Sequence, residues 1–232
     1  MTIKITSDST CDLSKELVAK YDIGIIPLYV VKDGVSLKDG LEITPEDIFA
    51  FTDSTGKLCT TAAVSQYDYT ETFKPLSEQY DAVIHITISA DFSSCYQNAC
   101  AAAEEFPNVY VVDSRNLSTG HGHIVIEAAQ LAAQGLAPDE ICARLNELTG
   151  KVEASFLLDR LDYMVKGGRC SSAAALGANL LHLRPCIEVI DGKMRVVKKY
   201  RGPYNKCIHD YVVARLTNRD DLRDGRIFIT HA

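Results

Sequence analysis

The residues of this chain best suited to chemistry are hydroxyls gathered at turns. Ser89, Ser93 and Ser94 lie in Ser89-Ala90-Asp91-Phe92-Ser93-Ser94-Cys95, directly after Val83-Ile84-His85-Ile86-Thr87-Ile88. The latter run, rich in β-branched residues, reads as a buried strand, and Ala99 to Ala103 with Glu104-Glu105 reads as the helix that follows. A helix start offers N–H groups without intrahelical partners and a partial positive charge, so hydroxyls beside it suit a carboxylate or a phosphate. The plainer reading is a serine N-cap on an α/β crossover.

Other clusters repeat the pattern. The first strand runs out through Thr6-Ser7-Asp8-Ser9-Thr10-Cys11-Asp12-Leu13, where strand ends of an α/β sheet face the ligand crevice and where Asp12 is the expected cap of the next helix. Val111-Val112-Asp113-Ser114-Arg115-Asn116-Leu117-Ser118-Thr119-Gly120 repeats strand, Asp-Ser, hydroxyl-rich turn and helix. Cys59-Thr60-Thr61-Ala62-Ala63-Val64-Ser65-Gln66 lies between two helical patterns and taken alone is a loop. Gly120-His121-Gly122-His123 invites a metal reading. Two histidines at i, i+2 point apart on a helix and no neighbouring ligand completes a set, so no metal is expected.

The elements that position these turns are α/β in class. Strand-like runs at Ile3–Ser7, Ile23–Val31, Ala82–Ile88 and Val109–Val112 alternate with helical patterns, the signature of a layered domain with a mainly parallel sheet over residues 1–153. Thr44-Pro45-Glu46-Asp47 and Pro138-Asp139-Glu140 are helix starts, and Gly150 is the stop of the second helix. From residue 154 the character becomes α+β through 232. Phe156 to Met164 precedes Lys166-Gly167-Gly168-Arg169, then a small-residue helix from Ala173 to Leu181, a hairpin around Asp191-Gly192, and an amphipathic stretch from Tyr204 to Leu216. Gly225 to Ala232 reads as a strand that stops on entering a sheet, so the chain is expected to continue beyond it.

Bulk properties narrow the function classes. The 232 residues are 47% apolar and 24% charged, with a net charge of -7, which disfavours a general nucleic-acid binder. No apolar run approaches the roughly 18 residues of a membrane span. The start of the chain has no signal-peptide shape. The eight cysteines form no CxxC pair, and free thiols in a reducing cytoplasm are expected. Phosphate-loop, nucleophile-elbow, zincin and dinucleotide fingerprints do not occur.

Asp8-Ser9-Thr10, Thr60-Thr61-Ala62-Ala63-Val64-Ser65, the segment from Ile88 to Ala99, Val112-Asp113-Ser114 and Lys166-Gly167-Gly168-Arg169 come in the order and spacing of the DegV family. The chain resembles that family over essentially its whole length. The resemblance implies a two-domain DegV-like (EDD) fold gripping a long-chain fatty acid, with the carboxylate held by hydroxyls at the domain junction and no cofactor. It also implies a bacterial carrier in phospholipid metabolism, without catalytic machinery of its own, that presents the acid to a fatty acid kinase subunit for conversion to an acyl phosphate.

The family's carboxylate ligands map onto Thr61 and Ser93, with Ser94 adjoining. The sequence departs from the family pattern at Ala62, Ala63 and Val64, where Ser, Gln and Pro are usual, and at Ser94 and Cys95, where Gly and Thr are usual; Ser94 is expected to narrow the approach to the head group. A family histidine lies beyond Ala232. Ser89, Asp8, Ser9, Gly167, Gly168 and Arg169 are candidate supports of the head group, although Gly167-Gly168-Arg169 reads first as a structural turn whose arginine bonds carbonyls or a carboxylate. Leu176, Leu180, Leu181 and Leu183 are candidate chain-lining residues, or plain helix core. Lys198, Lys199 and Arg201 form a basic patch, either a solvated face or a docking surface for the kinase or for transient contact with an anionic membrane. Two rivals remain: an acyl-transferring enzyme using Ser93 or Cys95 as nucleophile, and a scaffold that keeps the fold without a ligand.

Overall fold

The computed structural model describes residues 1–159, 161–171, 183–223 and 226–230. The chain divides into two compact units, Met1–Val152 and Glu153–Ala232. In chain order the first carries β1 (Ile3–Asp8), α1 (Lys15–Lys20), β2 (Gly24–Ile26), β3 (Tyr29–Lys32), β4 (Val35–Lys38), α2 (Pro45–Thr55), β5 (Thr60–Ala62), α3 (Gln66–Gln79), β6 (Ala82–Thr87), α4 (Cys95–Ala103), β7 (Val109–Asp113), α5 (Ser118–Ala133) and α6 (Pro138–Thr149). The second carries β8 (Ser155–Leu157), α7 (Asp162–Gly167), β9 (Leu183–Ile190), β10 (Lys193–Arg201) and α8 (Tyr204–Leu216).

The main sheet of the first unit is wholly parallel, in the order β2-β1-β6-β7. Every residue of β6 is buried, as expected of a central strand covered on both faces. Alternation sorts its side chains. Ile84 and Ile86 join Ile5, Val112, Ile124, Val125, Ala128, Ile141 and Leu145 in one core between the sheet and α5 and α6. His85 faces the other way, its ring edge-on to Tyr69 and Phe73 of α3 at centroid distances of 5.1 and 5.4 Å. At about 25 cal/mol per Å², burial on both faces makes this strand the mechanical centre of the unit. β1 leads to β2 on one side of the sheet and β6 to β7 on the other, so the loops leaving β1 and β6 diverge. Their carboxyl ends therefore border a crevice, the usual ligand position in such sheets.

The run expected as one strand over Ile23–Val31 is two strands in two sheets. Pro27 offers no N–H and disfavours helical geometry in the residue before it. β2 ends at Ile26 in the parallel sheet, and β3 begins at Tyr29 in a small antiparallel sheet of order β4-β3-β5. Helix starts follow local chemistry. Thr44 and Asp47 form a reciprocal capping box at α2, as Ser65 and Asp68 do at α3. Asp12 does not cap α1. It sits at φ 48°, closing a 3₁₀ turn over Ser9–Cys11, and Ser14 accepts the Leu17 N–H instead. α4 begins at Cys95, four residues before the expected start.

In the second unit, β10-β9-β8 is an antiparallel sheet. Asp191 and Gly192 both have positive φ, 52° and 79°, as the turn of a two-residue hairpin requires. α8 packs through Cys207 against Cys186 and Tyr200, and its Arg215 reaches Glu188 at 2.6 Å. Residues 226–230 form no strand. The helix expected over Ala173–Leu181, with Leu176, Leu180 and Leu181, lies outside the described residues, whereas Leu183 opens β9 half-buried. No helix among the described residues is long and apolar enough to cross a membrane. All eight cysteines are free.

Candidate functional site

Where β1 ends, Asp8 is fully buried. Its Oδ1 accepts the Tyr69 hydroxyl at 2.6 Å, its Oδ2 accepts the Ile88 N–H at 2.9 Å, and His85 Nε2 stands 3.3 Å from Oδ1. Burial alone disfavours the charge. The His85 imidazole and the Tyr69 hydroxyl more than offset it, holding the carboxyl below its ordinary value. Burial, followed by the nearby Asp8 charge, pushes the Tyr69 phenol far up, so Tyr69 is a permanent donor. The other His85 nitrogen, Nδ1, lies 3.0 Å from Thr6 Oγ1. This buried knot ties α3, β1 and β6 together directly beneath the crevice.

The turn after β6 is fastened to the knot through Ile88 and then to its neighbours. Ser89 is buried, donates its N–H to Asn116 O at 2.9 Å, and accepts the Phe92 and Ser93 N–H groups at its carbonyl. Its hydroxyl accepts the Asp91 N–H at 3.3 Å. Ala90 N–H goes to Asp113 Oδ1 at 3.2 Å, and burial pushes the Asp113 carboxyl up. The turn thus presents Ser93 half-buried and Ser94 exposed at the start of α4. Ser94 has φ -77° and ψ 7°, a conformation open to any L-residue, and its side chain makes no cap bond. Ser93 Oγ donates to Cys95 Sγ at 3.1 Å and accepts the Cys95 N–H at 3.3 Å.

Thr61 is the exposed middle residue of β5, opposite Val30 of β3. The segment expected to be only a loop therefore holds a short edge strand. Three residues on, Val64 is buried and its carbonyl accepts Asn98 Nδ2 of α4 at 2.7 Å. The Thr61 strand and the Ser93 turn, distant in sequence, are thereby attached to the same helix.

The remaining candidates occupy other places. Ser9 is engaged, donating to Asp39 at 2.7 Å and accepting the Leu28 N–H at 3.2 Å. In the second unit, Gly168 has φ 70° and Arg169 donates to Gly167 O at 2.6 Å, so the arginine bonds a carbonyl of its own turn. Lys198, Lys199 and Arg201 are exposed on β10, with the Lys198 ammonium 4.7 Å from the Tyr200 ring centroid. No group of residues able to hold a metal occurs among the described residues.

The Gly-His-Gly-His run serves packing. A Cβ on Gly122 would lie 2.7 Å from Cys11 O and 2.8 Å from Leu13 Cδ2, so the glycine lets α5 close on the turn after β1. His121 points into the same region, 3.0 Å from Ser7 Oγ and 3.2 Å from Ile86 O. Tyr69, Asn98 and Val64 are site-building residues absent from the sequence-based candidates. Their one local signal was position beside a capping box or on an apolar helix face.

Comparisons with known proteins converge. A family model described as "Uncharacterised protein, DegV family" matches residues 2–232. A protein of Thermotoga maritima named fatty acid-binding protein is 33% identical over 243 residues, covering 100% of this chain and 82% of its own. A DegV family protein of Thermus thermophilus, solved in a study of its fatty acid binding, superposes with a TM-score of 0.84 at 30% identity, over 94% of this chain and 79% of that one. A stearic acid-binding protein of Eubacterium ventriosum superposes with a TM-score of 0.83 at 29% identity, over 92% of this chain and 75% of that one.

Proposed function

The chain belongs to the DegV family, and on that premise we propose that it binds a long-chain fatty acid between its two units. In this reading Thr61 and Ser93 hold the carboxylate, and the protein presents it in the cytoplasm to a fatty acid kinase. The observation that carries the reading is the attachment of both hydroxyl segments to α4, with Ser93 at that helix's N-terminus. A carboxylate removed from water must be hydrogen-bonded or neutralised. Thr61, Ser93 once its hydroxyl rotates from Cys95 Sγ, and the N–H groups of the first turn of α4 after Cys95 supply donors suited to it. Each buried methylene adds about 0.8 kcal/mol to binding, so the chain provides affinity and the hydroxyls provide selection for an acid. No cofactor and no group of the protein reacts; the exposed Lys198, Lys199 and Arg201 are a candidate docking edge for the kinase or for an anionic membrane surface.

The acyl-transfer reading finds less support. Burial, then the Asp8 charge, pushes the Cys95 thiol up, the reverse of what a nucleophile needs. Both nitrogens of His85 are turned to Thr6 and Asp8, so this imidazole is not directed at Ser93. The test of the carrier reading is the double variant Thr61→Ala, Ser93→Ala, titrated with a long-chain fatty acid. Loss of two hydrogen bonds to a charged group, about 1.5–3 kcal/mol each, predicts an affinity at least about 100-fold weaker with the fold intact. Undiminished affinity would refute the clamp.

A further inference from the structure

Val64 is held at its backbone carbonyl by α4. Its carbonyl accepts Asn98 Nδ2 at 2.7 Å. Cys95, one helical turn earlier on the same helix, takes the Ser93 hydroxyl at its sulfur at 3.1 Å. Residues three apart on a helix are neighbours on one face, so Asn98 and Cys95 share the face of α4 turned to this segment. Cys95 is wholly buried and Asn98 half-buried. β5 itself is three residues long and lies at a sheet edge, paired on one side only by β3. Such a strand has little stiffness of its own; its pairing with β3 ends at Ala62, and the next fixed point is the grip on Val64.

We propose that Asn98 is a positioning residue for the head-group clamp, fixing Thr61 relative to Ser93 through the carbonyl of Val64. The inference rests on the carrier reading and deepens it. Asn98 touches no ligand in this account; it acts through Thr61. The acid is recognised only when two hydroxyls from separate segments converge on one carboxylate, and a displacement of about 1 Å is enough to lose such convergence.

The test is Asn98→Ala, which leaves α4 intact because alanine is the better helix former. Binding of a long-chain fatty acid and of the alcohol of equal chain length is measured in the wild type, in Asn98→Ala, in Thr61→Ala and in the double variant. Asn98→Ala is expected to weaken the acid about tenfold and to leave the alcohol unchanged. It is expected to cost nothing further once Thr61 is alanine. Amide exchange should rise at Thr61 and Val64 while the β6 amides stay protected, a pattern that separates loosening of the grip from general unfolding. A variant that keeps the wild-type preference for acid, or whose loss adds fully to that of Thr61→Ala, overturns the inference alone. A wild type that does not prefer acid over alcohol overturns the carrier reading and the inference together.

Discussion

Acid should destabilise this protein through His121. The imidazole is fully buried, and its Nε2 lies 3.0 Å from Ser7 Oγ and 3.2 Å from Ile86 O, partners that a neutral ring satisfies. Burial opposes a second proton more strongly than the Asp8 charge and the Ile86 carbonyl favour it, and the pKa falls from 6.5 to about 4. Above the unfolded value neither state is protonated and the contribution is complete. As the pH falls, the unfolded chain takes up a proton that the native state refuses, so stability is lost until the folded pKa is passed. The limit is the shift of about 2.5 units at 1.36 kcal/mol each, or about 3 kcal/mol. At about pH 5.5 the loss is roughly 1.3 kcal/mol, worth about 3–5 °C in melting temperature for a unit of this size.

The assay is urea unfolding of wild type and His121→Gln across the range of about pH 7.5 to 4.5. Glutamine keeps an amide donor for Ile86 O and has no titration. The wild type is predicted to lose about 1.3 kcal/mol more than the variant by about pH 5.5. Asp8, whose carboxyl is held low, contributes stability that is lost only below its unfolded value, beneath this window. Parallel pH profiles for the two proteins would refute the assignment.

Two further outcomes follow from packing and burial. Gly122→Ala, which would stabilise an ordinary helix interior by about 1 kcal/mol, should here destabilise by about 1–3 kcal/mol, because its Cβ meets Cys11 O at 2.7 Å; a chemical melt showing a gain would contradict the close approach of α5. Cys95, wholly buried and with its thiol pushed up, should resist alkylation in the native state while the partly exposed Cys59 reacts. Peptide mapping that found Cys95 labelled first would revive the nucleophile reading.

The parts of the fold legible in the sequence are those written locally. The β-branched run from Ala82 to Thr87, the capping residues Thr44 and Asp47, and the Asp191-Gly192 hairpin each depend on neighbours within a few positions. The misread parts were decided at a distance. The exception is Pro27, a local break that divides one apolar run between two sheets. Thr60–Ala62 carries no alternation, and becomes a strand only because β3 offers an edge. The second glycine of Gly120-His121-Gly122-His123 exists for Cys11 and Leu13, more than a hundred positions away. The site follows the same rule. Ser93 is visible as one of the hydroxyls in the turn after a β-branched run and Thr61 only through the family resemblance, whereas Asn98 and Tyr69 look like ordinary helix residues until the Val64 carbonyl and the Asp8 carboxylate are placed beside them.

The central claim is that this protein carries a fatty acid, and the most direct measurement is to denature the purified protein and identify the extracted small molecules by mass spectrometry. The account predicts a long-chain fatty acid in near-stoichiometric amount. A protein that yields none, and that takes up none when a long-chain fatty acid is added, would contradict it.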